Sequence, residues 1–370
     1  MSLLRLITFR QQSEAPVIEL DWKLIGPSYW PAYQTSINGT IATTTVSDTL
    51  TTPSGAYPGS NAFFGGVLLP DGRVFCAPNS STTARIYDPV TDTLTTPSGT
   101  YPGNGAFTGG VLLPDGRVFC VPYISASARI YDPVTDSVST PSGTSPGPTA
   151  FIGGVLLPDG RVFCVPFNSN SARIYDPVTD TLSTPTGTYP GSNAFAGGVL
   201  LPDGRVFCVP FNSTSARIYD PVTDTVSTPT GSYPGSTAFM GGVLLPDGRV
   251  FCVPRNSTTA RIYDPVTDTV STPTGSYPGS NAFIGGVLLP DGRVFCVPFS
   301  SASARIYDPV TDTLSTPTGS YPGSSSFVGG VLLPDGRVFC VPYNSTSARI
   351  YGGGGGFNIN VSLSAYYNKL

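Results

Sequence analysis

Side-chain catalysis needs a base, an acid or a nucleophile distinct from its surroundings, and this chain offers few. Histidine is absent from all 370 residues, which removes Ser-His and Cys-His nucleophile pairs and the imidazole ligands of most catalytic zinc and copper sites. The only lysines, Lys23 and Lys369, lie in the flanks. Carboxylates remain, and two acids flanking a scissile bond would serve glycoside hydrolysis. The candidates are Asp71, Asp88 and Asp92. Each recurs along the chain in a position that turn geometry explains, whereas acid–base catalysis needs one asymmetric pair with separated pKa values. Arg73 and Arg85 recur with them and read as partners of those aspartates or of nearby carbonyls. Seven cysteines, from Cys76 to Cys340, stand one per copy without CxxC spacing. That is neither a disulfide framework nor a zinc site, and they read as small buried hydrophobes within a strand. DPVTD at 88–92 lacks the oxygen-ligand density of a calcium loop. No catalytic, cofactor or metal residue is assigned, and no cofactor is expected.

The elements that would position these residues come from a repeat. GGVLLPDGRVFC at 65–76 returns letter for letter at 109, 153, 197, 241, 285 and 329, a period of 44. Gly 43 and Pro 38 are high for a globular chain, and with strict periodicity they read as turn residues. Each period holds four strand-like runs. GGVLLP and RVFCVP flank Asp-Gly, a hairpin signal read from the tolerance of positive φ at both central residues. SARIY follows a polar loop, and DPVTD then places Asp and Pro at the first two positions of a turn. The result is an antiparallel meander of strands A to D, repeated seven times. Such units predict an all-β, seven-bladed β-propeller; a β-solenoid, the competing architecture, would not need a tight hairpin in every repeat.

The ends of the repeat array suggest how the ring closes. VSDTLTTPSG at 46–55 matches VTDTLTTPSG at 90–99, so the N-terminal side supplies a strand D with no A, B or C before it. The last repeat lacks that strand, because ARIY at 348–351 runs into five glycines at 352–356. Residues 46–53 are therefore expected to complete the seventh blade and leave no open edge. Phe357, Ile359, Val361 and Leu363 alternate with polar residues, so the tail 357–370 also reads as a strand and competes for that place or serves another. Residues 1–45, with both tryptophans and both glutamates, read as a docking segment or a strap. The expected organisation is then 1–45, the propeller 46–351, a polyglycine joint 352–356 and the tail.

YDPVTDT followed by GGVLLPDGRVF resembles the kelch repeats of galactose-oxidase-like and kelch propellers, over residues 46–351. The resemblance implies the same seven-bladed fold. Two departures, Val121-Pro122 in place of a diglycine and Leu94 in place of a tryptophan, weaken the transfer of a kelch partner or substrate. The missing histidine disfavours the copper-radical oxidase branch.

Seven internal copies show which positions differ. The B–C loop reads NSSTT at 79–83, then YISAS, FNSNS, FNSTS, RNSTT, FSSAS and YNSTS, and the start of strand A varies likewise. In an up-down meander these loops share one face of the disc. That face is expected to carry Tyr123, Phe167, Phe211, Arg255, Phe299 and Tyr343, together with Tyr57, Tyr101, Tyr189, Tyr233, Tyr277 and Tyr321 of the neighbouring loops. Aromatic and arginine side chains among Asn, Ser and Thr suit a binding surface, although drift in unconstrained loops gives the same pattern.

Net charge −4 and the lack of a lysine-rich stripe argue against nucleic acid. No apolar run reaches membrane-spanning length, and MSLLRLITFRQQ, broken by Arg5 and Arg10, is not read as a secretory signal. A cytoplasmically made, non-enzymatic interaction or structural protein is expected, displayed on a larger assembly through its terminal segments, with a phage or large-virus virion as the preferred setting. A multivalent lectin and a carbohydrate-active propeller enzyme are the alternatives.

Overall fold

The computed structural model describes residues 47–353; the segments 1–46 and 354–370, including the expected docking segment and tail strand, lie outside the described residues. The described chain forms strands β1 to β28 in chain order, arranged as seven four-stranded antiparallel sheets. In blade 1, strand A is Phe63–Leu68, B is Val74–Pro78, C is Arg85–Asp88 and D is Thr93–Thr95. Strand B is buried at every position, because a neighbouring blade covers each face of the sheet. Strand D alternates between exposed and half-buried, as an outer edge must. Each strand A contacts strand A of both adjacent blades, and blade 1 meets blade 7 in the same way. This is a closed seven-bladed β-propeller.

Closure follows the sequence pattern. In blade 7 the order is β1–β28–β27–β26, where β1 is Ser47–Thr51, β28 Arg349–Gly353, β27 Val338–Pro342 and β26 Phe327–Leu332. Ser47 pairs with Gly353, Leu50 with Tyr351 and Thr51 with Ile350. The N-terminal strand thus takes the closing position.

Adjacent blades are joined by one recurring device. Phe75 of strand B stacks on Tyr131 of the next blade's strand C, with ring centroids 4.9 Å apart, and Phe339 meets Tyr87 across the closure at the same separation. The Tyr87 hydroxyl donates to Asp92 at 2.9 Å. Asp92 in turn accepts the Ser54 amide at 3.0 Å and the Ser54 hydroxyl at 2.7 Å, both from the segment leaving the preceding blade. One tyrosine therefore couples apolar stacking to a polar latch on the same neighbour. The P-S/T-G run after every strand D has the same origin, because a Cβ on Gly55 would lie 2.6 Å from Leu94 of the next blade.

The A–B turn differs from the Asp-Gly hairpin expected. Pro70 and Asp71 are its central residues: the Gly72 amide donates to the Leu69 carbonyl at 2.9 Å, the Leu69 amide to the Arg73 carbonyl at 2.8 Å, and Gly72 follows at φ +87°. Proline fixes φ near the value that the second position of a type I turn requires, so the loop lengthens by one residue and only the glycine takes the left-handed conformation. Asp71 then holds Arg73 through Nε at 2.8 Å and Nη2 at 2.6 Å. The C–D turn is as expected, with Asp88 accepting the Val90 amide at 2.8 Å.

Candidate functional site

Strands A and C run in the same direction, so the A–B and C–D turns share one face and the B–C and D–A loops share the other. On the loop face, the first residue of each B–C loop turns toward the ring axis. Tyr123 packs on Phe167 at 6.1 Å, Phe167 on Phe211 at 5.5 Å, and Phe299 on Tyr343 at 5.8 Å between centroids. These rings join Phe64, Ile152, Met240, Ile284 and Val328 of the inner strands in one apolar rosette. Beneath it the inner strands come very close, since a Cβ on Gly241 would lie 3.0 Å from the Cα of Gly285.

The side chains expected to form a binding surface are therefore less open to solvent than loop residues ordinarily are. Phe167 and Phe211 are each only 7% exposed, and Tyr123, Phe299 and Tyr343 are half-buried. The second set lies deeper. Tyr57, Tyr101, Tyr189, Tyr233, Tyr277 and Tyr321 are buried, with Tyr57 edge-on to Phe63 at 6.1 Å. They bury because a tyrosine after P-S/T-G projects between blades, where its ring gains more from apolar contact than at the surface. Their hydroxyls have no hydrogen-bond partner, and burial drives their pKa values far above the ordinary range. All seven cysteines are likewise fully buried, with free thiols.

Arg255 is the charged member of the rosette. Its guanidinium carbon lies 5.1 Å above the Phe211 ring centroid, its Nε is buried without a hydrogen-bond partner, and desolvation lowers its pKa. Around it, Arg85 and its counterparts through Arg349 begin each strand C. The Arg85 Nη1 atom is held by the Thr83 hydroxyl at 2.9 Å and the Ala84 carbonyl at 3.0 Å. Every aspartate of the described residues belongs to the opposite end, in the A–B turns, the C–D turns or, for Asp48, the matching part of β1. Among the described residues the loop face carries arginines and no carboxylate.

One repeat breaks the symmetry. Ser145 stands where the other blades bury a tyrosine, and its Oγ is buried without a partner. Beside it a shallow hollow of about 470 Å³ is lined by Pro146, Pro148, Asn168, Asn170, Pro190 and Ser192, among others. Among the described residues, no cluster of three His, Cys, Asp or Glu side chains is placed to hold a metal.

The propeller geometry has solved counterparts. The chain is similar to a streptogramin B lyase, with a TM-score of 0.70 at 12% identity over 82% of this chain and 98% of that one. A catalytically inactive virginiamycin B lyase from Staphylococcus aureus with quinupristin gives 0.69 at 10% identity, over 82% and 100%. A fungal alcohol oxidase of the AA5 family, in complex with copper, gives 0.61 at 15% identity, over 82% and 76%. At these identities the likeness is one of fold. No family model and no curated protein matches the chain.

Two features escaped sequence reasoning. Asn79 occupies the rosette position of blade 1 and is buried, its Nδ2 donating to the Phe107 carbonyl at 2.7 Å; alignment of NSSTT with YISAS already put it in that column. Ser145 was visible as the one YPG tyrosine replaced.

Proposed function

We propose that this protein is a non-enzymatic display module, a kelch-like propeller held in a larger assembly by its terminal segments and presenting the B–C/D–A face to a protein or glycan. The virion surface of a phage or large DNA virus is the setting this reading favours. One observation carries it. Strands β1 and β28 pair through Ser47 and Gly353 at the C–D-turn end of blade 7, opposite the variable loops. Attachment at that end would leave the variable loops free for recognition, a geometry suited to display.

The alternative lectin reading draws on the hollow at Asn168 and Asn170, whose amides are natural partners of sugar hydroxyls. The carbohydrate-active enzyme has less support, because the described carboxylates serve repeated turns and latches and form no singular pair. The test is photo-cross-linking of the full chain in its own host, from Ile124 on the loop face and from Val134 on the turn face, 41% and 90% exposed. Different adducts are expected from the two positions, with assembly proteins on the Val134 side. Identical adducts, or turnover of an oligosaccharide by the purified chain, would overturn the reading.

A further inference from the structure

The described part of the disc is electrically polarised. Its turn face holds every aspartate. The loop face holds Arg255 at the axis and, around it, one arginine at the start of each strand C, with no carboxylate among them. The seven Asp–Arg ion pairs, such as Asp71–Arg73 at 2.6 Å, all belong to the turn face. The loop-face guanidiniums are instead neutralised by nothing stronger than loop hydroxyls and carbonyls. Among the described residues none of these loop-face guanidiniums is in an ion pair.

We infer that the loop face binds an acidic polysaccharide, a chain of sugars bearing carboxylate or sulfate groups, with Arg255 engaging an anionic group at the axis. This rests on the display reading and names the ligand class of its recognition face. Three observations favour a polysaccharide over other polyanions. The rosette rings are half-buried or buried and edge-packed, so they offer no open platforms for stacked bases. Among the described residues, Ile124 is the only strongly exposed large apolar side chain of this face, the others being valines of the C–D turns; a protein partner would need several such anchors. Asn168, Ser169, Asn170 and Ser192 around the hollow supply amides and hydroxyls for sugar hydroxyls. Arg85 and its counterparts, already fixed by loop hydrogen bonds, bind with little loss of side-chain entropy. A sevenfold array of equivalent cations also matches a ligand whose anionic groups repeat.

The experiment is calorimetric titration of the full chain with a polyuronate, dextran sulfate, unmodified dextran and a single-stranded oligonucleotide. Binding of the two anionic polysaccharides is expected, weakening at least about tenfold from 50 to 300 mM salt, with no binding of dextran. Arg255→Gln should weaken it about two- to fivefold and Arg255→Lys less, as for a partly exposed ion pair, with the melting temperature reported for each variant. Equal binding of dextran, tighter binding of the oligonucleotide, or affinity unchanged in a folded Arg255→Gln protein would each overturn the inference. If the chain ignores all four polymers while Ile124 still cross-links to a distinct target, the ligand class is wrong and the display reading stands. If polymer binding is lost on Asp115→Asn in the opposite turns, the recognition face itself is misassigned.

Discussion

Asp48 and Thr318 are 270 residues apart in the chain, yet the Asp48 carboxylate accepts the Thr318 amide at 2.9 Å through either oxygen, and the Thr318 hydroxyl donates to the Asp48 carbonyl at 2.6 Å. This is the same latch that Asp92 makes with Ser54, now made by the strand that closes the ring. The N-terminal strand therefore supplies a blade-to-blade clamp as well as a ladder. Asp48→Ala should cost about 1 kcal/mol, discounted for exposure, and should speed amide exchange in both β1 and β28. In blade 3 the corresponding link runs from the Ser142 amide to the Asp180 main-chain carbonyl at 3.2 Å. Asp180→Ala should therefore cost less than Asp92→Ala, which loses the side-chain latch to Ser54 from the same positive-φ backbone. Equal effects on denaturant midpoints would contradict the latch.

Acid should unfold the ring through these carboxylates. Hydrogen bonds from Ser54 and Ser98 hold Asp92 and Asp136 below the ordinary 3.8, and the Val134 and Val178 amides do so for Asp132 and Asp176. A native pKa below the unfolded value gives stability that is complete above the unfolded pKa and is lost as pH falls through the native one. The melting temperature should be flat between about pH 6 and 8, where a chain without histidine has almost nothing to titrate, and should fall below about pH 4. A midpoint unchanged at pH 3 would refute this.

The rosette changes what loop substitutions do. Exposed anchors would leave stability untouched on truncation, but Phe167 and Phe211 are buried against each other. Phe211→Ala should cost about 2–4 kcal/mol and also remove the ring beneath Arg255. Tyr123→Ala, at a half-buried position, should cost less. Melting temperatures within a degree of the parent protein for both would contradict the packing.

The thiols should be silent until the blades come apart. Burial pushes Cys120 and Cys164 up to about 12 and the other five thiols upward too. An aromatic disulfide reagent at pH 8 should find almost no thiol in the native chain and all 7 after unfolding without reductant. A count of five or fewer would mean that some strand B cysteines are paired.

Much of the fold was legible because each blade is specified locally. The Asp-Pro turn, the alternation in strand D and the orphan strand at 46–53 each required only neighbouring residues to interpret. What was not legible depended on the next blade. Asp92 explains itself as a turn residue, and nothing within its own repeat discloses that it grips Ser54. Tyr57 looks like a loop aromatic until a second sheet closes over it. Phe167 reads as a surface anchor because sequence gives its loop but not its direction, which only the convergence of seven strands on one axis determines. The A–B turn departs from a two-residue Asp-Gly hairpin for a local reason, since Pro70 outweighs the glycine signal.

In the proposed arrangement recognition belongs to the loop face and attachment to the turn face. Hydrogen–deuterium exchange of the full chain, alone and saturated with the target captured from Ile124, distinguishes the two faces. Protection confined to the B–C and D–A loops, including the amides of 123–127, 167–171 and 255–259, is the predicted result. Protection at the C–D turns, such as 132–136 and 176–180, with the loops unchanged would contradict it.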